Sequence, residues 1–114
     1  MESGSVKPVL DLLSHGVQEG VEQRYKEVMA RKGLYPDAPP LPCTVGYEVA
    51  GVVDAVGSGV EESWLNLEVA ALTRFGGQAD TVVVPAGQVF PKPKALSFEQ
   101  AAAIPVNYLT AWQL

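Results

Sequence analysis

Between Pro36 and Val60 the chain has few conformational options. Pro36, Pro39, Pro40 and Pro42 fix φ and withhold backbone donors, so the approach to Cys43 is an extended surface connection. It passes Gly46 into the valine-rich run Tyr47–Val56, which Gly57-Ser58-Gly59 then reverses. Val49, Gly51 and Val53 alternate with Ala50, Val52 and Asp54, leaving both faces of that run largely apolar, so the pattern predicts an interior strand.

Two further strands are expected downstream. A polar link around Glu61–Leu67, holding Trp64, leads into a strand over Glu68–Thr73. Phe75-Gly76-Gly77 turns the chain into a third strand over Ala79–Val84, closed by Pro85. Strands at this spacing, separated by glycine turns, indicate a small antiparallel barrel or sandwich. Val89–Pro93 is extended again. Ser97-Phe98-Glu99-Gln100 then reads as a capping box that starts a helix through Ala101-Ala102-Ala103. Pro105 interrupts it, a second helix is expected from near Asn107, and Leu114 falls inside that element, an unusual place for a native terminus.

Upstream, Val6, Leu10, Leu13, Val17, Val21, Tyr25 and Val28 recur in steps of three or four, the signature of an amphipathic helix over Ser5–Arg31. Glu22 with Lys26 and Glu27 with Arg31 add i,i+4 pairs, and Arg31-Lys32-Gly33 makes a basic last turn with a glycine stop. Pro8, Gly16 and Gly20 leave two helices broken near Ser14-His15-Gly16 as an equal alternative.

At 114 residues the chain is one domain's worth. Its net charge of −5 argues against a nucleic-acid partner, which would need clustered Lys and Arg. Residues 1–33 carry five basic and five acidic side chains and residues 34–114 three and eight, so the acidic excess lies in the second part and two segments are expected. Cys43 is the single cysteine, which excludes an internal disulfide and makes a cytoplasmic location the default. No apolar run reaches the roughly 18 residues of a membrane span.

The pattern P-x-x-x-G-x-E-x-x-G-x-V-x-x-V-G-x-x-V, running from Pro42 through Gly46, Glu48, Gly51, Val53, Val56 and Gly57 to Val60, resembles the medium-chain dehydrogenase/reductase superfamily in its GroES-like catalytic domain. Phe75-Gly76-Gly77-Gln78-Ala79, Val82-Val83-Val84-Pro85 and Ser97–Trp112 match in order and spacing, and the likeness is continuous from Met29 to Leu114. Within the superfamily it is similar to the zinc-free quinone oxidoreductases and their synaptic-vesicle-membrane relatives. The resemblance implies an α+β fold: a partial GroES-like β-barrel over residues 34–114, an amphipathic helical segment of uncertain origin over residues 1–33, and a C-terminal helical segment.

The resemblance also carries chemistry. Its parent activity is NADPH-dependent reduction of a quinone or enone, the barrel supplying one wall of the cleft. Tyr35 and Tyr47 would face that cleft, with Met29 and Thr110 on the cofactor side; ordinary packing is the alternative for each. Tyr47 stands where zinc-dependent members carry histidine, and with His15 and Cys43 as the only histidine and thiol no zinc site is expected. Cys43 reads as a buried apolar filler, and Glu48 as a carboxylate bonding loop amides at the start of its strand.

The strands that open the family's barrel are replaced here by the helix, with Arg24 where an asparagine would align, so an exposed sheet edge is expected. The glycine-rich cofactor half, expected after Trp112, is likewise missing from the sequence, and Gly57-Ser58-Gly59 turns between strands and does not cradle a phosphate. The chain alone is therefore expected neither to bind NADPH nor to catalyse. The alternative is a non-enzymatic module, truncated, fused or engineered, that self-associates or takes a partner through its helix or open edge.

Overall fold

The computed structural model describes residues 24–114. The apolar positions from Val6 to Val21, His15 and Glu22 lie outside the described residues. Those described fall into two compact units, residues 24–45 in one and Gly46–Leu114 in the other.

In the first unit residues 24–31 are helical (α1). The expected glycine stop is present: the Leu34 N–H donates to the Met29 carbonyl at 2.9 Å and the Gly33 N–H to the Ala30 carbonyl at 3.0 Å, with Gly33 at φ 68°. This is the paired bonding of a Schellman terminus, which needs a residue at ease in the left-handed region. Glu27 pairs with Arg24 at 3.7 Å and not with Arg31, the partner its i,i+4 spacing suggested. Beyond Gly33 the proline-rich segment is irregular, as its missing donors require.

The second unit holds a three-stranded antiparallel sheet in the order β1 (Glu48–Val52), β2 (Glu68–Leu72), β3 (Val89–Pro91). Short 3-10 turns at Glu62–Trp64 and Ala86–Gln88 precede β2 and β3. Helices α2 (Phe98–Ala102) and α3 (Pro105–Gln113) follow. The sheet is not a closed barrel. Glu48 stands opposite Leu72 and Val52 opposite Glu68, while Ala71 faces Val89 and Val69 faces Pro91.

Two expectations about the strands fail, for one reason. β1 is not interior, since β2 flanks it on one side and no other described strand on the other; the interior strand is β2, whose Val69, Ala70 and Ala71 are all buried. Nor is Ala79–Val84 a strand. Its alternation is real, with Val82 and Val84 half-buried and Val83 fully exposed, but β1 and β3 already take both edges of β2. Periodicity fixes which side chains turn inward and leaves open which backbone finds a partner.

The capping box forms as its sequence predicts. Ser97 Oγ accepts from the Gln100 N–H at 3.1 Å and Gln100 Oε1 accepts from the Ser97 N–H at 3.0 Å. α3 begins at Pro105 itself, not near Asn107, because proline at the first helical position gives up only a donor that the helix would leave idle. Both helices pack on the sheet, α2 on β1 and β2 and α3 on β2, and their buried residues are Ala101 and Pro105.

Candidate functional site

The Gly46-Tyr47-Glu48 motif lies at the entrance to β1, clasped to the turn 73–77. The Thr73 N–H donates to the Tyr47 carbonyl at 2.8 Å. The Gly46 carbonyl accepts twice, from Thr73 Oγ1 at 2.6 Å and from the Gly77 N–H at 3.0 Å. Gly46 takes φ 111°, and a Cβ built on it would lie 2.7 Å from the Gln78 nitrogen, so only glycine lets the two backbones approach this closely.

Tyr47, projecting from this clasp, lies with its ring centroid 5.2 Å from that of Phe75 at an interplanar angle of 50°. Tilted packing of this kind suits the opposed charge of aromatic faces and edges. The Tyr47 hydroxyl is enclosed although the residue as a whole is half-buried. Sequence reasoning singled out Tyr47 and the Phe75-Gly76-Gly77 turn separately; that one backs the other became visible only in three dimensions.

Glu48, on the opposite face of the strand, carries its carboxylate to a helix and not to a loop. Its Oε2 accepts from the Val106 N–H at 2.8 Å, in the first turn of α3. The residue preceding that helix, Ile104, offers no side-chain cap, so a carboxylate 58 residues away satisfies an orphan amide at the positive end of the helix dipole. This occupies Glu48 structurally, as the sequence reading favoured over acid–base work.

The four residues named from the resemblance divide between the units. Tyr47 and Thr110 belong to the second, where Thr110 is exposed on α3, one turn beyond Val106. Met29 and Tyr35 belong to the first. Met29 is half-buried in α1, and Tyr35 is half-buried in a concavity of about 510 Å³ formed by Lys32–Pro36 and Ala38–Leu41. Cys43 is half-buried and not the buried filler expected. Among the described residues no three of His, Cys, Asp and Glu gather as a metal site, and no helix is long and apolar enough to cross a membrane.

A larger concavity of about 760 Å³ lies beside β1 and is lined by Val49, Val53, Val69, Ala71, Val82 and Val84 among others. None of the four named residues lines it. The register also orients the backbone of β1: the Val53 N–H donates to the Leu67 carbonyl and the Tyr47 carbonyl accepts from Thr73, so Val49 and Gly51 turn their amides to β2, while those of Ala50 and Val52 point away from it. The edge expected from the sequence is thus open to Ala50 and Val52, among the described strands.

Sequence reasoning missed Lys92. Its side chain, 5% exposed, donates to the Leu96 carbonyl at 2.6 Å, pairs with Glu68 at 3.0 Å and lies 5.4 Å from the centre of the Phe98 ring. It ties the start of β2 to the approach to α2. The Pro91-Lys92-Pro93 spelling signals an extended segment only and nothing of these long-range partners.

Residues 19–94 match the model of the alcohol dehydrogenase GroES-like domain, starting ahead of Met29, where the sequence likeness was first visible. The chain is 48% identical over 79% of its length to a human protein named synaptic vesicle membrane protein VAT-1 homolog, covering 23% of that protein. It is 36% identical over 75% of its length to rat quinone oxidoreductase, covering 26% of it. The crystal structure of human synaptic vesicle membrane protein VAT-1 homolog-like protein superimposes with a TM-score of 0.70 at 32% identity, over 75% of this chain and 27% of that one. The chain thus spans about a quarter of the length of the curated relatives it matches.

Proposed function

We infer the function from one premise: the chain belongs to the alcohol dehydrogenase GroES-like domain family, within the medium-chain dehydrogenase/reductase superfamily. Its residues 34–114 form the acceptor-side wall of an NADPH-dependent, zinc-independent oxidoreductase that reduces a quinone or enone. The observation that carries this reading is the tilted Tyr47–Phe75 aromatic pair, fixed by the Gly46–Gly77 clasp.

The bound nicotinamide would supply hydride. Gly57-Ser58-Gly59 is not read as a dinucleotide-phosphate cradle, because it leads into the three-residue 3-10 turn Glu62–Trp64, which has too few aligned amides to hold a pyrophosphate. Met29 and Thr110 are proposed to line the cofactor side. The work assigned to Tyr47 is to pack against a planar acceptor, limit its orientation and exclude water; Tyr35, in the other unit, is proposed as an acceptor-side residue on the resemblance alone. Chain 1–114 is therefore expected to bind an acceptor weakly and to leave NADPH unoxidised.

Titrating isotope-labelled chain with neutral hydroxymethyl anthraquinone tests this reading. Amide shifts centred on Gly46, Phe75 and Gly77, lost in Tyr47→Ala, are expected; no shifts there would overturn the acceptor-side assignment. NADPH oxidation by the purified chain would overturn its proposed inactivity.

A second reading is favoured by the open side of β1. The outward amides of Ala50 and Val52 suit pairing with another strand, making the chain a self-associating or partner-binding module. Light scattering behind size-exclusion chromatography separates the two, since a strict monomer at high concentration removes the self-associating form. A cytoplasmic location is proposed on the single cysteine; the human relative's name places that protein at the synaptic vesicle membrane, and recovery of this chain with vesicles on fractionation would overturn the assignment.

A further inference from the structure

Arg74 is the residue of this fold whose backbone is hardest to account for by packing. It takes φ 60°, and the Phe75 N–H donates to the Thr73 carbonyl across it at 2.7 Å. A two-residue bond around a positive φ is the rare, strained form of the γ-turn. Elsewhere among the described residues a positive φ falls on Gly33, Gly46, Gly59 and Gly76, or on Asn66. A branched-free but bulky cation in that region costs free energy that a glycine would avoid.

The strain persists because the flanking residues are over-determined. Thr73 is held by two bonds to Gly46 and Tyr47, the Phe75 ring lies in tilted contact with Tyr47, and Gly77 is locked to Gly46. Arg74 therefore has a Tyr47 contact on either side of it in the chain, and its own side chain is exposed. Among the described residues it makes no ion pair or side-chain hydrogen bond. Basic side chains are scarce here: from Leu34 to Leu114 there are Arg74, Lys92 and Lys94, and Lys92 is committed to Glu68 and Leu96.

We propose that Arg74 is a specificity-determining residue that selects planar acceptors carrying an anionic substituent, a carboxylate, sulfonate or phosphate, at the rim of the Tyr47–Phe75 surface. This rests on the acceptor-side reading of Tyr47 and names the acceptor class it leaves open. The ring of the acceptor packs against one face of the tilted aromatic pair, and the guanidinium, presented by the rigid turn, meets the anion with its planar fork of donors.

The test compares binding of anthraquinone sulfonate and neutral hydroxymethyl anthraquinone to chain 1–114, read from the Phe75 and Gly77 amide shifts. The wild-type chain is expected to bind the sulfonate about 1.5- to 5-fold more tightly, the range for an exposed ion pair, with the preference shrinking as salt rises. In Arg74→Gln and Arg74→Gly the ratio falls to about one while the neutral quinone binds unchanged. Arg74→Gly fits the turn, so its melting temperature should equal or exceed the wild type's, separating lost recognition from lost folding. Equal binding of the two probes by the wild-type chain, or a preference that survives in Arg74→Gly, overturns the proposal with the acceptor-side reading intact. Failure of both probes to shift these amides overturns both.

Discussion

Gly46 and Gly77 meet backbone to backbone, the Gly77 N–H donating to the Gly46 carbonyl at 3.0 Å with no room for a side chain on either. A Cβ on Gly77 would sit 2.9 Å from the Gly46 oxygen, and one on Gly46 would sit 2.7 Å from the Gln78 nitrogen. These neighbours are backbone atoms, which cannot swing aside. The clasp is what sets Tyr47 against Phe75, so the two glycines govern the candidate site without touching a ligand.

Gly46→Ala should therefore destabilise the chain by about 2 kcal/mol or more, combining a forced backbone shift with a φ that alanine avoids. Gly77→Ala should cost less, because its φ is not in the left-handed region. Urea denaturation measures both, and equal stability of Gly46→Ala and wild type would mean the clasp is not tight.

Removing the Glu48 carboxylate leaves the Val106 amide unsatisfied. Glu48→Ala should cost about 1.5–3 kcal/mol, the range for a hydrogen bond to a charged group, and Glu48→Gln about half of it, since the amide oxygen still accepts. Hydrogen exchange at the Val106 N–H should accelerate in the same order. An unchanged exchange rate in Glu48→Ala would show that α3 is capped by something else.

Lys92→Met keeps the buried stem of the side chain and removes its charge. The Leu96 carbonyl then loses its donor, at a cost of about 1–3 kcal/mol. Glu68 is 54% exposed, so its ion pair adds little to that figure and the loss should be nearly independent of salt. A loss that disappears in high salt would instead assign the effect to the ion pair.

Glu99 lies in the first turn of α2, where its own backbone N–H, and then the Ser97 hydroxyl, hold its carboxyl below the usual carboxylate range. A depressed folded-state value means a stabilising contribution that is present above the unfolded pKa and lost as pH falls through the folded one. Ser97→Ala should move the Glu99 titration, followed by NMR, back toward its ordinary value. No movement would leave the backbone amide as the whole cause.

How much of this could be read from the residues depends on how far each partner lies along the chain. The Ser97–Gln100 capping box, the Gly33 stop and the Glu68–Leu72 strand were legible because their hydrogen bonds or alternation are complete within a few residues. The Gly-x-Glu spacing and the Gly76-Gly77 turn marked the right two places for the site. Nothing local said that they touch, that Phe75 would back Tyr47, or that Arg74 would be held at a positive φ between them.

By itself, the sequence determined local backbone states and the family, since propensity, proline and glycine placement and motif spacing act on neighbouring residues. Pairing was decided only by the tertiary structure. Ala79–Val84 has a strand's alternation and Val89–Pro91 is short and ends in proline, yet β2 accepts the second, because β2 has two edges and the path of the chain delivers Val89–Pro91 to the one β1 leaves free. Glu48 likewise has the same carboxylate in any fold. It caps α3 because the sheet carries it to within 2.8 Å of the Val106 amide, a distance that packing and not composition determines.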